Sequence, residues 1–172
     1  LALTCGDAAE VLGVAQACDE EDIWSRENPA GAAAAVIGKA PAEFTFGVPA
    51  GLESLCDNTA WEHAFHEAVS RLEAMGGRAV PVDFAPYREA ADMLYFGPYL
   101  AERVAAVGGF VEPNAAACDP TVKSIIMGAA HWSAVEMFQC RCRTMEIKKI
   151  ADRDFAGMDM LLVPTAPNTF TI

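Results

Sequence analysis

A chain of 172 residues, 53% of them hydrophobic and 21% charged, is long enough to bury a substantial core and lies outside the composition of disordered segments. Twelve Lys and Arg against 24 Asp and Glu give a formal net charge of −12, which argues against a phosphate-tracking surface and so against nucleic acid as a partner. No run approaches the roughly 18 consecutive apolar residues of a membrane span and no basic stretch precedes an apolar one at the start, so no membrane partner is expected and a soluble, cytoplasmic protein is predicted.

Thr4 followed by Asp7 has the spacing of a capping box with Asp in place of Glu. Ala8, Val11, Leu12 and Ala15 then fall on one helical face, which predicts a helix to about Cys18. Residues 20–41 are polar, then alanine-rich and bounded by Gly and Pro, without a period for either element, and read as loop. FTFGVP reads as a short strand. NTAWEHAFHEAVSRLEAMGG places Trp61, Phe65, Ala68, Val69, Leu72 and Met75 on one stripe before a glycine stop, and RAVPVDF supplies another strand. A strand, a long amphipathic helix and a strand over some 40 residues form a βαβ unit, which predicts a parallel crossover.

Helices are then expected over residues 86–96, 98–107 and 120–127, the last behind Asp119. A longer one is opened by Ser133 and Glu136 as a capping box. The apolar run between Asp159 and Pro164 fits a buried parallel strand. The predicted fold class is α/β: a parallel or mixed sheet with a βαβ unit, helices packed on it and a helical excursion before the final strand. The expected division is a helix and loop over 1–43, the βαβ unit over 44–85, a helical segment over 86–156, and the final strand with its PTAP turn over 157–172. The start without an initiator methionine and the stop straight after an apolar run predict a piece of a longer protein.

Candidate chemistry is sparse. His63 and His66, at i and i+3 on one helix, could reach one metal ion, but no third ligand is recognisable and solvent-facing histidines are the preferred reading. Cys140 and Cys142 flank an arginine in a helix whose successive residues point about 100° apart, a poor geometry for sharing zinc, so no metal site is assigned. The six cysteines have no framework spacing, which predicts reduced thiols. There is no G-x-S-x-G elbow, P-loop, G-x-G-x-x-G fingerprint or glycine/serine-rich nucleophile loop, and hence no recognisable nucleophile and base.

What remains is LYFGPYLAER at 94–103, with the PTAP turn at 164–167. In one uninterrupted helix Tyr95 and Arg103 would lie about 80° apart around the axis, but Gly97-Pro98 predicts a kink or restart between them. One reading makes Arg103 a surface residue paired with Glu102 or Glu89, and Tyr95 a residue at the core edge. The other makes the guanidinium a planar donor fork and the phenol an orienting hydrogen bond for a small planar anion. Spacing alone leaves both open.

The runs FTFGVP, RLEAMGG, VPVDFAPYREAADMLYFGPYLAER and MDMLLVPTAPNTFTI resemble the amidase-signature family and, within it, the allophanate hydrolases. The resemblance covers essentially the whole chain and is most specific in LYFGPYLAER and LLVPTAPNTFT. It implies that Tyr95 and Arg103 hold the substrate, a small carboxylate. It also implies a Ser, cis-Ser, Lys triad that lies upstream in the family and is not found in this sequence, so no catalytic residue is assigned here and the chain alone is expected to be inactive. The implied parent reaction, hydrolysis of allophanate to ammonia and carbon dioxide in urea and nitrogen catabolism, uses no metal or organic cofactor. His131 and Trp132 stand where the family pattern leads one to expect smaller or less aromatic neighbours. A free-standing, non-catalytic relative that binds a small carboxylate or a protein partner, and an amidase for biuret-like compounds, remain alternatives. So does a homo-oligomer, through apolar surface left uncovered.

Overall fold

The computed structural model of the chain describes residues 2–27, 38, 41–51 and 55–168. Residues 1–41 and 42–172 separate into two units. In the first, helix α1 spans Cys5–Ala15 behind a reciprocal cap: Thr4 Oγ1 accepts from the Asp7 amide and Asp7 Oδ2 accepts from the Thr4 amide, both at 3.1 Å. The helix stops short of Cys18, and the face of Ala8, Val11, Leu12 and Ala15 does not form a core, since no residue of α1 is buried. Residues 16–27 continue as turns held by local bonds, such as the Asp19 amide to Ser25 Oγ at 2.9 Å. The loop reading of 20–41 therefore holds as far as residue 27 and at residues 38 and 41, and otherwise lies outside the described residues.

In the second unit, strand β1 (Phe44–Pro49) buries Phe44, Phe46, Gly47 and Pro49. Phe46 is fully enclosed, at 0% exposure, because β1 is the central strand of a three-stranded sheet. Helix α2 (Thr59–Ala74) starts where the Asn58 side chain accepts from the Trp61 amide, and it turns Phe65 inward. It ends in a left-handed turn at Gly76, φ +99°, a conformation that a side chain would strain. The chain then enters strand β2 (Gly77–Val82), parallel to β1 with Phe44 opposite Gly77 and Pro49 opposite Val82. Pro81, which has no N–H for a ladder bond, fits the edge position that β2 occupies. This is the expected βαβ unit.

The helical excursion follows as α3 (Ala85–Tyr95), a 3₁₀ turn (Pro98–Leu100), α4 (Ala101–Val111), α5 (Pro120–Gly128), a second 3₁₀ turn (Ala129–His131) and α6 (Ala134–Phe155). Asp119 caps α5 by accepting from the amides of Thr121 and Val122. Ser133 and Glu136 form the predicted capping box on α6. Pro98, Leu100, Val111, Ala129, Cys140 and Ile147 are among the buried residues of this part.

Strand β3 (Met160–Leu161) returns parallel to β1 with Phe46 opposite Met160, giving the order β2-β1-β3. The parallel strand is as expected but the burial is not, since Met160 is 38% exposed and Leu161 half-buried. As an edge strand of two residues, β3 is sheltered by β1 on one side only. Its tie to β1 is extended by the Asp159 amide to Thr45 O at 2.8 Å and the Leu162 amide to Gly47 O at 2.9 Å.

Candidate functional site

Helix α3 ends at Tyr95 with the Phe96 amide bonded to Asp92 O at 2.8 Å. Gly97 is extended, with φ −108° and ψ −169°, and Pro98 opens the 3₁₀ turn that leads into α4. Gly97 is needed for close approach: a Cβ there would lie 2.7 Å from Met93 O and 2.8 Å from Met93 Cα, so the elbow folds back against the last turn of α3. Across the elbow, Arg103 Cζ lies 5.9 Å from the centroid of the Tyr95 ring. That places the guanidinium at the outer edge of cation–π range, an attraction of about 0.5–1 kcal/mol at an exposed site.

Tyr95 is 56% exposed and Arg103 half-buried. Neither acid considered as a structural partner takes Arg103, and among the described residues it makes no ion pair. Glu89 is held instead by Arg143 of α6 through a two-pronged bridge, Nε to Oε1 and Nη2 to Oε2, each 2.7 Å. The third guanidinium nitrogen, Nη1, reaches Glu146 at 2.9 Å. The Arg143 bonds hold the Glu89 carboxyl below its ordinary pKa against an opposing desolvation effect, and the two acids push Arg143 upward.

Two further contacts lay α3 and the elbow on α6. Tyr87 donates to Asp154 Oδ2 at 2.8 Å; burial first, then the bond and the charge of Asp154, push its phenol up to about 12. Beyond the elbow, Tyr99 donates to Thr144 Oγ1 at 3.2 Å. None of these pairings was read from the sequence, where Glu89 was considered only for Arg103, because Glu89 and Arg143 are 54 residues apart and Tyr99 and Thr144 are 45 apart, beyond any local period.

The PTAP turn does not join Tyr95 and Arg103 at their end of α3. With Phe84, Arg88 and Val163 it lines a cleft of about 300 Å³ beyond the carboxyl ends of β2 and β3. Arg88 lies about 10 Å before Tyr95 along the helix axis. The turn is fixed to the start of α2 by the Asp57 amide to Pro167 O at 3.0 Å, and by Asn58 Nδ2 to Asn168 Oδ1 at 2.7 Å. Position just after a parallel strand was the available signal for Phe84 and Arg88, since ligands of open α/β sheets gather there.

The other candidates fall apart. His63 and His66 are exposed, with His66 Nε2 3.9 Å from Glu62 Oε1. Cys140 is buried, which raises its thiol pKa, and Cys142 is exposed; all six cysteines are free thiols. Among the described residues no group of three or more His, Cys, Asp or Glu side chains is arranged to hold a metal ion. His131 tilts against Trp132 with centroids 4.6 Å apart and bonds through Nδ1 to Gly128 O, so the unusual pair closes the joint before α6. No helix among the described residues is long and apolar enough to cross a membrane.

No protein-family model matches the chain. Urea amidolyase of Saccharomyces cerevisiae is 38% identical to it over 105 residues, 60% of this chain and 6% of that protein. Urea amidolyase of Lachancea kluyveri is 30% identical over 169 residues, 96% of this chain and 9% of that one. Among solved structures, urea amidolyase of K. lactis superposes with a TM-score of 0.83 at 31% identity, over 94% of this chain and 10% of its own. Kluyveromyces lactis allophanate hydrolase superposes with a TM-score of 0.81 at 30% identity, over 94% of this chain and 26% of its own. The chain thus spans less than a tenth of the two curated urea amidolyases. In sequence and in its α/β fold it is a homologue of urea amidolyase and allophanate hydrolase, matching a segment of their amidase-signature fold.

Proposed function

We propose that the chain is part of one amidase domain of an allophanate-hydrolase-like enzyme in urea breakdown, and that it supplies the substrate-facing wall and not the nucleophile. Arg103 receives the allophanate carboxylate and Tyr95 orients it by a hydrogen bond from its phenol. The observation that carries this reading is the meeting of the two side chains across the Gly97-Pro98 elbow, with the guanidinium free of any ion pair among the described residues. A two-pronged donor of that kind matches a planar carboxylate, and it concentrates positive charge in an otherwise acidic protein.

In the family chemistry a serine, activated through a second serine and a lysine, attacks the amide carbon. Ammonia then leaves, and water releases the acyl group. Those groups would come from polypeptide other than these 172 residues, so the isolated chain should release no ammonia from allophanate. A cytoplasmic setting fits urea catabolism, and the exposed Phe96, Phe110 and Phe138 would favour self-association of an unaccompanied chain.

The test is a chimera in which this chain replaces the homologous segment of Kluyveromyces lactis allophanate hydrolase. Arg103→Lys keeps the charge and loses the fork; a lost charge-assisted contact of about 1.5–3 kcal/mol is roughly a ten- to hundredfold fall in kcat/KM for allophanate. An uncharged amide accepted by the same chimera should suffer much less. Tyr95→Phe, which removes one neutral hydrogen bond worth about 0.5–1.5 kcal/mol, should cost less than Arg103→Lys. Equal losses on the charged and uncharged substrates would mean that Arg103 supports the fold and does not read the carboxylate.

A further inference from the structure

We propose that Thr144 is a positioning residue that sets the spacing of Tyr95 and Arg103, a role whose catalytic meaning rests on the substrate reading above. The elbow at Gly97-Pro98 separates two helices, and an extended glycine followed by a 3₁₀ turn does not by itself fix the angle between them. One oxygen of α6 touches both limbs. Met93 Sδ, on the last turn of α3, lies 3.6 Å from Thr144 Oγ1, and Tyr99, in the 3₁₀ turn, donates to the same oxygen at 3.2 Å.

Thr144 has a reason to stay in place. Its own hydroxyl lies 3.0 Å from Cys140 O, one turn back along α6, and donates to that carbonyl. With its proton committed there, the oxygen presents a lone pair to the incoming Tyr99 hydroxyl. Met93, whose sulfur then meets this oxygen by van der Waals contact alone, precedes Tyr95 by two residues, and Tyr99, which donates to it, precedes Arg103 by four, one helical turn, so the oxygen meets each limb close to its candidate side chain. The contacts are half-buried, out of direct competition with bulk water. The Arg143–Glu89 bridge braces α3 alone, whereas the Thr144 oxygen couples the two limbs.

The experiment is NMR of the chain with labelled Arg and Tyr, reading the ring-current displacement that Tyr95 imposes on the Arg103 side chain and calibrated by Tyr95→Leu. Thr144→Val keeps the shape and loses the hydroxyl; it should abolish at least half of that displacement, and Thr144→Ser should restore it. A lowered melting temperature with the displacement intact would make Thr144 merely structural and overturn the proposal, as would a wild-type chain without the displacement. Should Thr144→Val lose its dispersed spectrum, Tyr99→Phe deletes the same bond from the other side and must show the same loss.

A parallel titration with oxamate, a planar amide-carboxylate, separates this proposal from the one it rests on. Weakening of about two- to tenfold in Thr144→Val, rescued by Thr144→Ser, supports both. If oxamate leaves Tyr95 and Arg103 unperturbed while Thr144→Val still erases the ring-current displacement, the substrate reading fails and the positioning role stands. If oxamate binds through Arg103 and the displacement is indifferent to Thr144, the positioning role fails alone.

Discussion

Replacing Gly97 by alanine isolates the elbow from every other feature of the site. Gly97 is extended and needs no left-handed conformation, so a new methyl group acts by contact alone. It would lie 2.7, 2.8 and 3.1 Å from the carbonyl oxygen, Cα and carbonyl carbon of Met93, where ordinary contact begins at 3.4 Å. The obstacle is the backbone of α3, which has no alternative rotamer, so the two limbs must part by about 0.7 Å or more. Overpacking of this kind costs about 1–3 kcal/mol, and at this chain length each kcal/mol moves the melting temperature by about 2–4 °C, giving a fall of about 2–12 °C. Gly109→Ala is the matched control: it lies in α4, and nothing stands within 4 Å of the added methyl. A helical Gly→Ala change without a clash stabilises by about 0.4–1 kcal/mol, so Gly109→Ala should melt about 1–4 °C higher. Scanning calorimetry of the two variants reads both signs at once. If Gly97→Ala melts at or above the wild type, the elbow is not tightly closed and the geometry built on it is wrong.

An ultraviolet titration at alkaline pH should find one tyrosine ionising near pH 12, and Tyr87→Phe should remove that phase. Because the folded-state pKa is raised from 10.0, the Tyr87–Asp154 contribution to stability is complete below pH 10 and fades between pH 10 and 12, so the variant should show a shallower alkaline loss of melting temperature. At the acid end the sign reverses for Glu89: its pKa is lowered from 4.5 by Arg143, so its contribution is present above pH 4.5 and disappears as pH falls through the folded-state value. Glu89→Gln should therefore flatten acid unfolding below pH 4.5, and an unchanged acid limb would count against the bridge. Asn58→Ala removes both the cap of α2 and the bond to Asn168, and should cost about 1 kcal/mol by urea titration.

The elements of the second unit were legible because each carries its own punctuation. FTFGVP lies between Glu43 and the Ala50-Gly51 turn and is the central strand; Asn58, Asp119 and Ser133 announce α2, α5 and α6 through side chains that cap the next turn. Gly97-Pro98 announced the break, since both residues act locally. Burial was less legible because it depends on what covers a face. The apolar face of α1 follows a helical period as well as that of α2 does, yet only α2 buries a residue on its stripe, Phe65. Likewise MLLV has the composition of a central parallel strand, whereas only Met160 and Leu161 pair with β1 and Met160 stays exposed. In the site, Tyr95 and Arg103 could be named from a resemblance. The oxygen and the carboxylates that hold their helices could not, since those pairings join residues 45 to 67 positions apart.

The elbow also explains how two residues eight apart come to share one point. In a straight helix Tyr95 and Arg103 would be separated by about 12 Å along the axis as well as by about 80° around it, and an arginine leaning toward the helix N-terminus would close only part of that gap. Breaking the helix at Gly97 and restarting it after a 3₁₀ turn removes the fixed rise and rotation between them, while the lean of Arg103 still points its guanidinium back toward Tyr95. The cost is that the helix no longer determines the distance, so the determination must come from a second element. Helix α6 has the required form: it is 22 residues long, capped at its start by Ser133 and Glu136, and it meets α3 at Arg143 and Asp154 and both limbs at Thr144. A surface arginine held only by solvent would gain nothing from such bracing. An arginine that must present two nitrogens to a planar anion gains a fixed origin for the fork, because geometry lost before binding must be restored on binding at the expense of affinity.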